Sequence, residues 1–201
     1  MKTISAMYDT MAQAQATVTE LLAQGIPNSD INLVANASDA EYAANFTEGN
    51  KIHEAGETVT EAGAAVGGIG GLVVGLSFFM IPGIGPVLAA GGLLASLIAG
   101  TSLGALAGGA VSVLVELGIA SEQAGTYAEG IRRGGALLVV KSSEAVADQA
   151  EAVIKRHQPI NVEERALSWK QRGWATYDPQ AAPYTREQVE AERRSLLSAR
   201  L

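Results

Sequence analysis

The chain has 201 residues, a formal net charge of −7, 48% apolar residues and no cysteine. That length holds one or two domains. The missing cysteine excludes a disulfide frame and thiolate chemistry. The acidic balance argues against a nucleic-acid footprint and against a polybasic lipid anchor. The opening stretch MKTISAMYDT lacks the apolar core of a signal peptide, so the folded part is expected in the cytoplasm.

Lys2 to Tyr8 alternates, with Ile4, Ala6 and Tyr8 on one face, as a half-buried strand does. Thr10 and Gln13 match a capping box and open a helix whose stripe is Met11, Ala14, Val18, Leu21 and Leu22. Gly25 and Pro27 stop it, and Ile31 to Ala35 reads as a second strand. Residues 36–61 form a polar connector, with a short helix expected around 39–48. The first half-domain and this connector span 1–61.

From Ala62 to Val115 there are 54 residues without Asp, Glu, Lys, Arg or His, holding 14 of the 23 glycines. Gly63, Gly67, Gly71 and Gly75 recur every four residues, as do Gly92, Ser96, Gly100, Gly104, Gly108 and Ser112. Positions four apart share a helix face. The spacing therefore predicts two glycine-zipper helices, 62–81 and 87–115, with the turn Pro82-Gly83-Ile84-Gly85-Pro86 between them. The insert is bounded at 62–118. Lipid insertion is the favoured environment, with the core of a homo-oligomer and a loose glycine-rich loop as rivals. The expected partners are further copies of the chain and the bilayer.

The second half-domain, 119–164, repeats the first. A helix is expected over 122–132 with Ser121 as cap, and Ala136 to Val140 as an unbroken apolar strand. Ser142 or Ser143 caps the next helix, with stripe Val146, Ala150, Val153 and Ile154, and Ile160 to Val162 follows as a fourth strand. Two β-α-β halves predict an α+β, ferredoxin-like sheet interrupted by the hairpin. Both ends of a two-helix insertion emerge on one side, which puts both termini in the cytoplasm. The run Leu137-Leu138-Val139-Val140 is apolar on both faces, so the face away from the helices needs a cover. A second subunit is the first choice, ahead of the inserted helices or the tail. In the tail, 165–201, Trp169, Trp174, Tyr177 and Tyr184 are the docking candidates, with the membrane interface as the alternative. Thr185 and Gln188 make a second capping box.

With these residues in view, the chain resembles the bacterial general stress protein family, the general-stress-protein-17M-like or heat-induced and low-temperature-induced group. The features that match are the strand–helix opening at Tyr8-Asp9, the glycine-rich centre, and Leu117-Gly118-Ile119 followed by Ala124 and Tyr127. The others are Gly134-Gly135-Ala136-Leu137 and the ending Trp169, Gly173-Trp174, Tyr177-Asp178 and Pro183-Tyr184-Thr185. The likeness covers roughly 1–185, with the tail pattern its most specific part. It implies a role in stress response and brings no catalytic residues with it.

No reaction is written in the motifs. There is no phosphate loop, and Gly68-Ile69-Gly70 lacks the third glycine of a dinucleotide fingerprint, Val73 standing there instead. His53 and His157 are isolated, and Glu54, Glu57 and Glu61 read as a solvated helix start. Arg132 and Arg133 read as solvated, with an anion grip at an interface as the alternative. The expectation is a non-enzymatic protein with no cofactor, no metal and no small-molecule substrate, acting structurally through the hairpin. An oligomeric pore built of hairpins and a ligand-binding regulatory module are the alternatives.

Overall fold

The computed structural model describes residues 1–36, 77–81, 85–90, 109–182 and 184–198. Strands β1 (Lys2–Tyr8), β2 (Ile31–Asn36), β3 (Ser77–Ile81), β4 (Gly85–Ala90) and β5 (Ala136–Ser142) form one sheet in the order β1-β5-β2-β4-β3. Every pair is antiparallel. Helices α1 (Met11–Ala23), α2 (Gly109–Glu116), α3 (Ser121–Arg132), α4 (Glu144–Arg156), α5 (Val162–Gln171) and α6 (Arg186–Ser198) complete an α+β architecture.

The β1-β5-β2 side of the sheet carries the core. Tyr8 faces Ala136 and Lys2 faces Ser142 across one side of β5, while Ile31 faces Val140 and Ala35 faces Ala136 across the other. Alternation along these strands divides the core in two. Ala6, Tyr8, Leu33, Leu138 and Val140 pack under α1 and α4, whose expected stripes are the ones buried. Thr10 caps α1 through the reciprocal bonds with Gln13.

Met7, Val34, Leu137 and Val139 lie on the opposite face, beneath α2 and α3. The cover expected from a second subunit is thus supplied within the chain, by Ala110, Val113, Leu114, Leu117, Ala124, Ala128 and Ile131. Gly118, at φ +96°, makes the turn between α2 and α3. Its neighbour's amide, Ile119 N, donates to Leu114 O at 3.0 Å and closes the end of α2. This lets Leu117 and Ile119 both reach the core. At the start of α3 the helix begins on Ser121 itself and Ala120 takes the cap position, with no side-chain cap bond.

Two pieces of the charge-free stretch are strands instead of zipper helix. β3 and β4 form a hairpin with Ile81 opposite Gly85 and Met80 opposite Pro86, and β4 adds to β2 from Leu33↔Ala90 to Asn36↔Val87. Gly85 and Pro86 therefore belong to β4. Two physical causes favour strands here. Pro82 and Pro86 interrupt a helix within five residues, and the open edge of β2 offers a row of unpaired backbone groups. Pro86 is tolerated because the β2–β4 register ends one residue away, at Val87. Together with α2, this hairpin makes part of the insert predicted at 62–118 integral to the folded domain. Gly63, Gly67, Gly71, Gly75, Gly92, Ser96, Gly100, Gly104 and Gly108 lie outside the described residues, as do Pro82, Gly83, the helix expected at 39–48 and His53. No helix among the described residues is long and apolar enough to cross a membrane.

The fourth strand is a single bridge. Ile160 N donates to Met7 O at 2.7 Å on the outer edge of β1. The next residue, Asn161, then caps α5 by accepting from Glu163 N and Glu164 N, so Val162 is already helical.

Candidate functional site: the C-terminal clasp

The densest polar cluster among the described residues joins the last turn of α3 to α5 and α6. It starts from Glu129, Arg132 and Arg133. Spacings of three and four residues bring both guanidinium groups to one carboxylate. Glu129 accepts from Arg132 Nε at 2.8 Å and Nη2 at 2.6 Å, and from Arg133 Nε at 2.5 Å. Its side chain is 1% exposed, so the carboxylate would be costly without these charge-assisted bonds. Burial works against the charge on Arg132. The hydrogen bond to Glu129 and the charge of its carboxylate outweigh that and push the pKa of Arg132 up.

The arginines then reach the tail. Arg132 Nη1 donates to Ala182 O at 2.8 Å, and its guanidinium lies 4.7 Å from the centre of the Tyr184 ring. Arg133 lies 4.9 Å from the Trp169 ring and 5.3 Å from that of Tyr184. These cation–π contacts are of the kind that strengthens as water is excluded. Arg132 is therefore buried and Arg133 largely covered, not the solvated pair expected from their place at a helix end.

Glu192 of α6 is the matching anion. It accepts from Trp169 Nε1 at 2.9 Å and from Arg172 Nη2 at 2.8 Å, and stands 3.5 Å from Arg133 Nη1. Arg193 donates to Asp9 O and Gly134 O, and Arg165 pairs with Asp9 Oδ1 at 2.8 Å. One apolar side chain of α6, Val189, is 2% exposed. It sits where a Cβ on Gly134 would be, closer than van der Waals contact allows. Gly134 is at φ +99°, so this residue is held to glycine by both backbone and neighbour. The capping box is present, with Thr185 N donating to Gln188 Oε1 and Gln188 N to Thr185 Oγ1.

Trp169 is 2% exposed and meets Trp174 edge-on at 5.6 Å between ring centres. Tyr177 packs beside Gly125 and joins the core beneath α3. Burial pushes the Tyr177 phenol pKa up, with Arg132 opposing. Trp174 Nε1 and Tyr177 OH are buried and lack a hydrogen-bond partner among the described residues. All four aromatic docking candidates fall in one region; of the charged groups that organise it, the sequence singled out Arg132 and Arg133 but not the carboxylates Glu129 and Glu192. The signal that could have found them is Glu129 spaced three and four residues ahead of two arginines. Of the other candidates, His157 Nε2 lies 2.7 Å from Glu20 Oε2. Glu54, Glu57 and Glu61 lie outside the described residues, which themselves contain no cluster of three or more metal-ligating side chains.

No family model matches the chain, and no curated protein or solved structure matches it.

Proposed function

We propose that the chain is a non-enzymatic structural protein of the bacterial general stress type, self-assembling through the glycine-rich segments on either side of the β3–β4 hairpin. The observation that carries this reading is how the charge-free stretch joins the sheet. Antiparallel β3 and β4 take the chain in at Ser77 and release it at Ala90 from the same end. The chain therefore enters and leaves this hairpin on one side of the sheet. Rows of small residues let helices approach closely, and a second copy carries matching rows. Both faces of the central sheet are covered from within the chain, so assembly is not needed to complete that core. The order in which Ile160 bridges β1 and β1-β5-β2 follow supports a ferredoxin-like domain whose fourth strand has shrunk to one bridge.

A membrane-anchored form of the same protein is the second reading, favoured by the 54 charge-free residues. Sizing of the full-length protein with and without detergent, alongside cell fractionation, separates the two. A discrete assembly in the supernatant supports self-assembly. Pelleting with membranes through an alkaline carbonate wash supports the anchor. Gly71→Leu and Gly104→Leu test the rows directly. Overpacking typically costs about 1–3 kcal/mol, while leucine is the better helix former by roughly 0.8–1 kcal/mol. Packing thus predicts loss of the oligomer and propensity predicts none. An unchanged assembly in both variants would sink the zipper.

A further inference from the structure

We infer that the outer edge of β1 is a strand-pairing site for β1 of a second copy of the chain, joining two sheets across a two-fold axis. β1 ends the sheet on its side, with β5 as its one strand neighbour among the described residues. Met7 O accepts from Ile160 N on the side away from β5. Backbone direction repeats every two residues along an antiparallel strand, so the N–H and C=O groups of Ser5 and Thr3 face outward as well. Among the described residues no backbone group pairs with them there. The chain after Ile160 leaves this edge at once, because Asn161 caps α5. α5 then runs to α3, where Trp169 packs near Gly130. Thr3 is exposed, and Ile4 and Ser5 are half-buried.

The open segment fits itself. Ile160 closes it at Met7 and leaves Lys2 to Ala6, whose midpoint is Ile4. Two such segments pair antiparallel with Ile4 opposite the partner's Ile4, Thr3 opposite the partner's Ser5 and Lys2 opposite the partner's Ala6. Thr3 and Ser5 then gain the ladder bonds that each lacks alone, and the Ile160 bridge of each copy stays outside the ladder. Ile4 falls at a non-hydrogen-bonded site, where facing side chains come closest. Contact there covers the apolar surface that its own core leaves open. No lysine faces a lysine in this register. Lys2 is also paired with Glu151 of α4, which offsets the charge that commonly guards an edge strand. The edge is held in shape by its own chain: Ser5 Oγ lies 3.1 Å from Tyr127 OH, and Thr3 packs against Gly118. This contact uses none of the glycine-rich rows and is separate from assembly through them.

The chain has no cysteine, so one introduced at the axis reports the pairing. Full-length Ile4→Cys sets two thiols at a non-hydrogen-bonded pair, about 4.5 Å between Cα atoms, within the range of a disulfide. Full-length Lys2→Cys is the control, an exposed thiol that the register holds on the order of 13 Å from its mate along the strand. Under mild oxidation of the purified protein, Ile4→Cys should form a covalent dimer about tenfold faster than Lys2→Cys. Ser5→Pro added to Ile4→Cys removes an outward amide and leaves the β1–β5 bonds in place, as an edge strand allows. It should slow the crosslink about tenfold, the scale for losing hydrogen bonds of this kind, with circular dichroism melting as the control for folding. Equal rates for Ile4→Cys and Lys2→Cys, or no crosslink in either, would overturn the pairing whatever Ser5→Pro does to the fold. An unslowed crosslink in a folded Ser5→Pro protein would overturn it too. Gly71→Leu and Gly104→Leu should leave the Ile4→Cys crosslink in place, which separates failure of this contact from failure of the glycine-rich rows. A crosslink lost with the rows would show that the β1 edges meet by crowding alone, and would overturn the edge as a site of its own.

Discussion

The sheet core and the C-terminal clasp are both buried, yet they are held by opposite chemistry. In the core, β5 is sandwiched: Leu138 and Val140 point to α1 and α4, and Leu137 and Val139 to α2 and α3. Its stability is apolar area, contributed by β1, β2, β5 and the helices α1 to α4. In the clasp, one valine is buried on α6 while Glu129, Glu192 and the arginines carry the contact. Such contacts depend on geometry, and at this burial salt screens them little. The difference predicts that α6 is released before the sheet unfolds.

The strongest way to break the comparison is from the core side. Leu138 is fully buried at the middle of β5, so Leu138→Ala removes apolar contacts and leaves a cavity. Losses of about 2–5 kcal/mol are typical of such changes. Urea unfolding should shift as a whole, with α6 and the sheet lost together. Loss of α6 alone would show that Leu138 does not hold the common core.

Val189→Ala sharpens the contrast from the other side. The expected loss is about 1–2 kcal/mol, confined to the clasp, which is roughly a five- to thirtyfold rise in its open population. Protease sensitivity in α6 and fluorescence from Trp169 should change, while the urea midpoint of the sheet stays put. A matching shift of that midpoint would mean that clasp and core unfold as one unit.

Much of the core was legible because its patterns are strict. The alternation of Ile4, Ala6 and Tyr8, and the stripe Met11, Ala14, Val18, Leu21, each match one period and one face. The β3–β4 hairpin was not legible for the opposite reason. A stretch that is apolar at nearly every position has no polar face to set a period. What decides it is the edge of β2, which is remote in sequence from residues 77–90. The short fourth strand was lost to a local competitor, since Asn161 followed by Glu163-Glu164 is a helix start that outweighs a three-residue strand. In the clasp the aromatic residues stood out. Glu129 did not, because an Arg-Arg pair closing a helix has the same local sequence whether it faces water or a docked tail.

The smallest expected effect concerns a surface link that belongs to neither region. Glu20 on α1 accepts from Arg156 and from His157, tying α1 to the end of α4. The side-chain hydrogen bonds from Arg156 and then His157 hold the Glu20 carboxyl below its ordinary 4.5. A carboxylate whose folded pKa lies below its unfolded one favours the folded state at pH above the unfolded value. That contribution fades as pH falls through the folded value. Arg156 stays charged throughout, so the loss below about pH 4.5 comes from protonation of Glu20 itself. Glu20→Gln should therefore lower the urea midpoint slightly at pH 7, and the gap from wild type should close as pH drops to 3. Added salt should narrow the gap at pH 7 as well, since the pair is solvent-exposed. A gap that stayed constant from pH 7 to pH 3 would mean that Glu20 contributes through packing of its stem rather than through its charge.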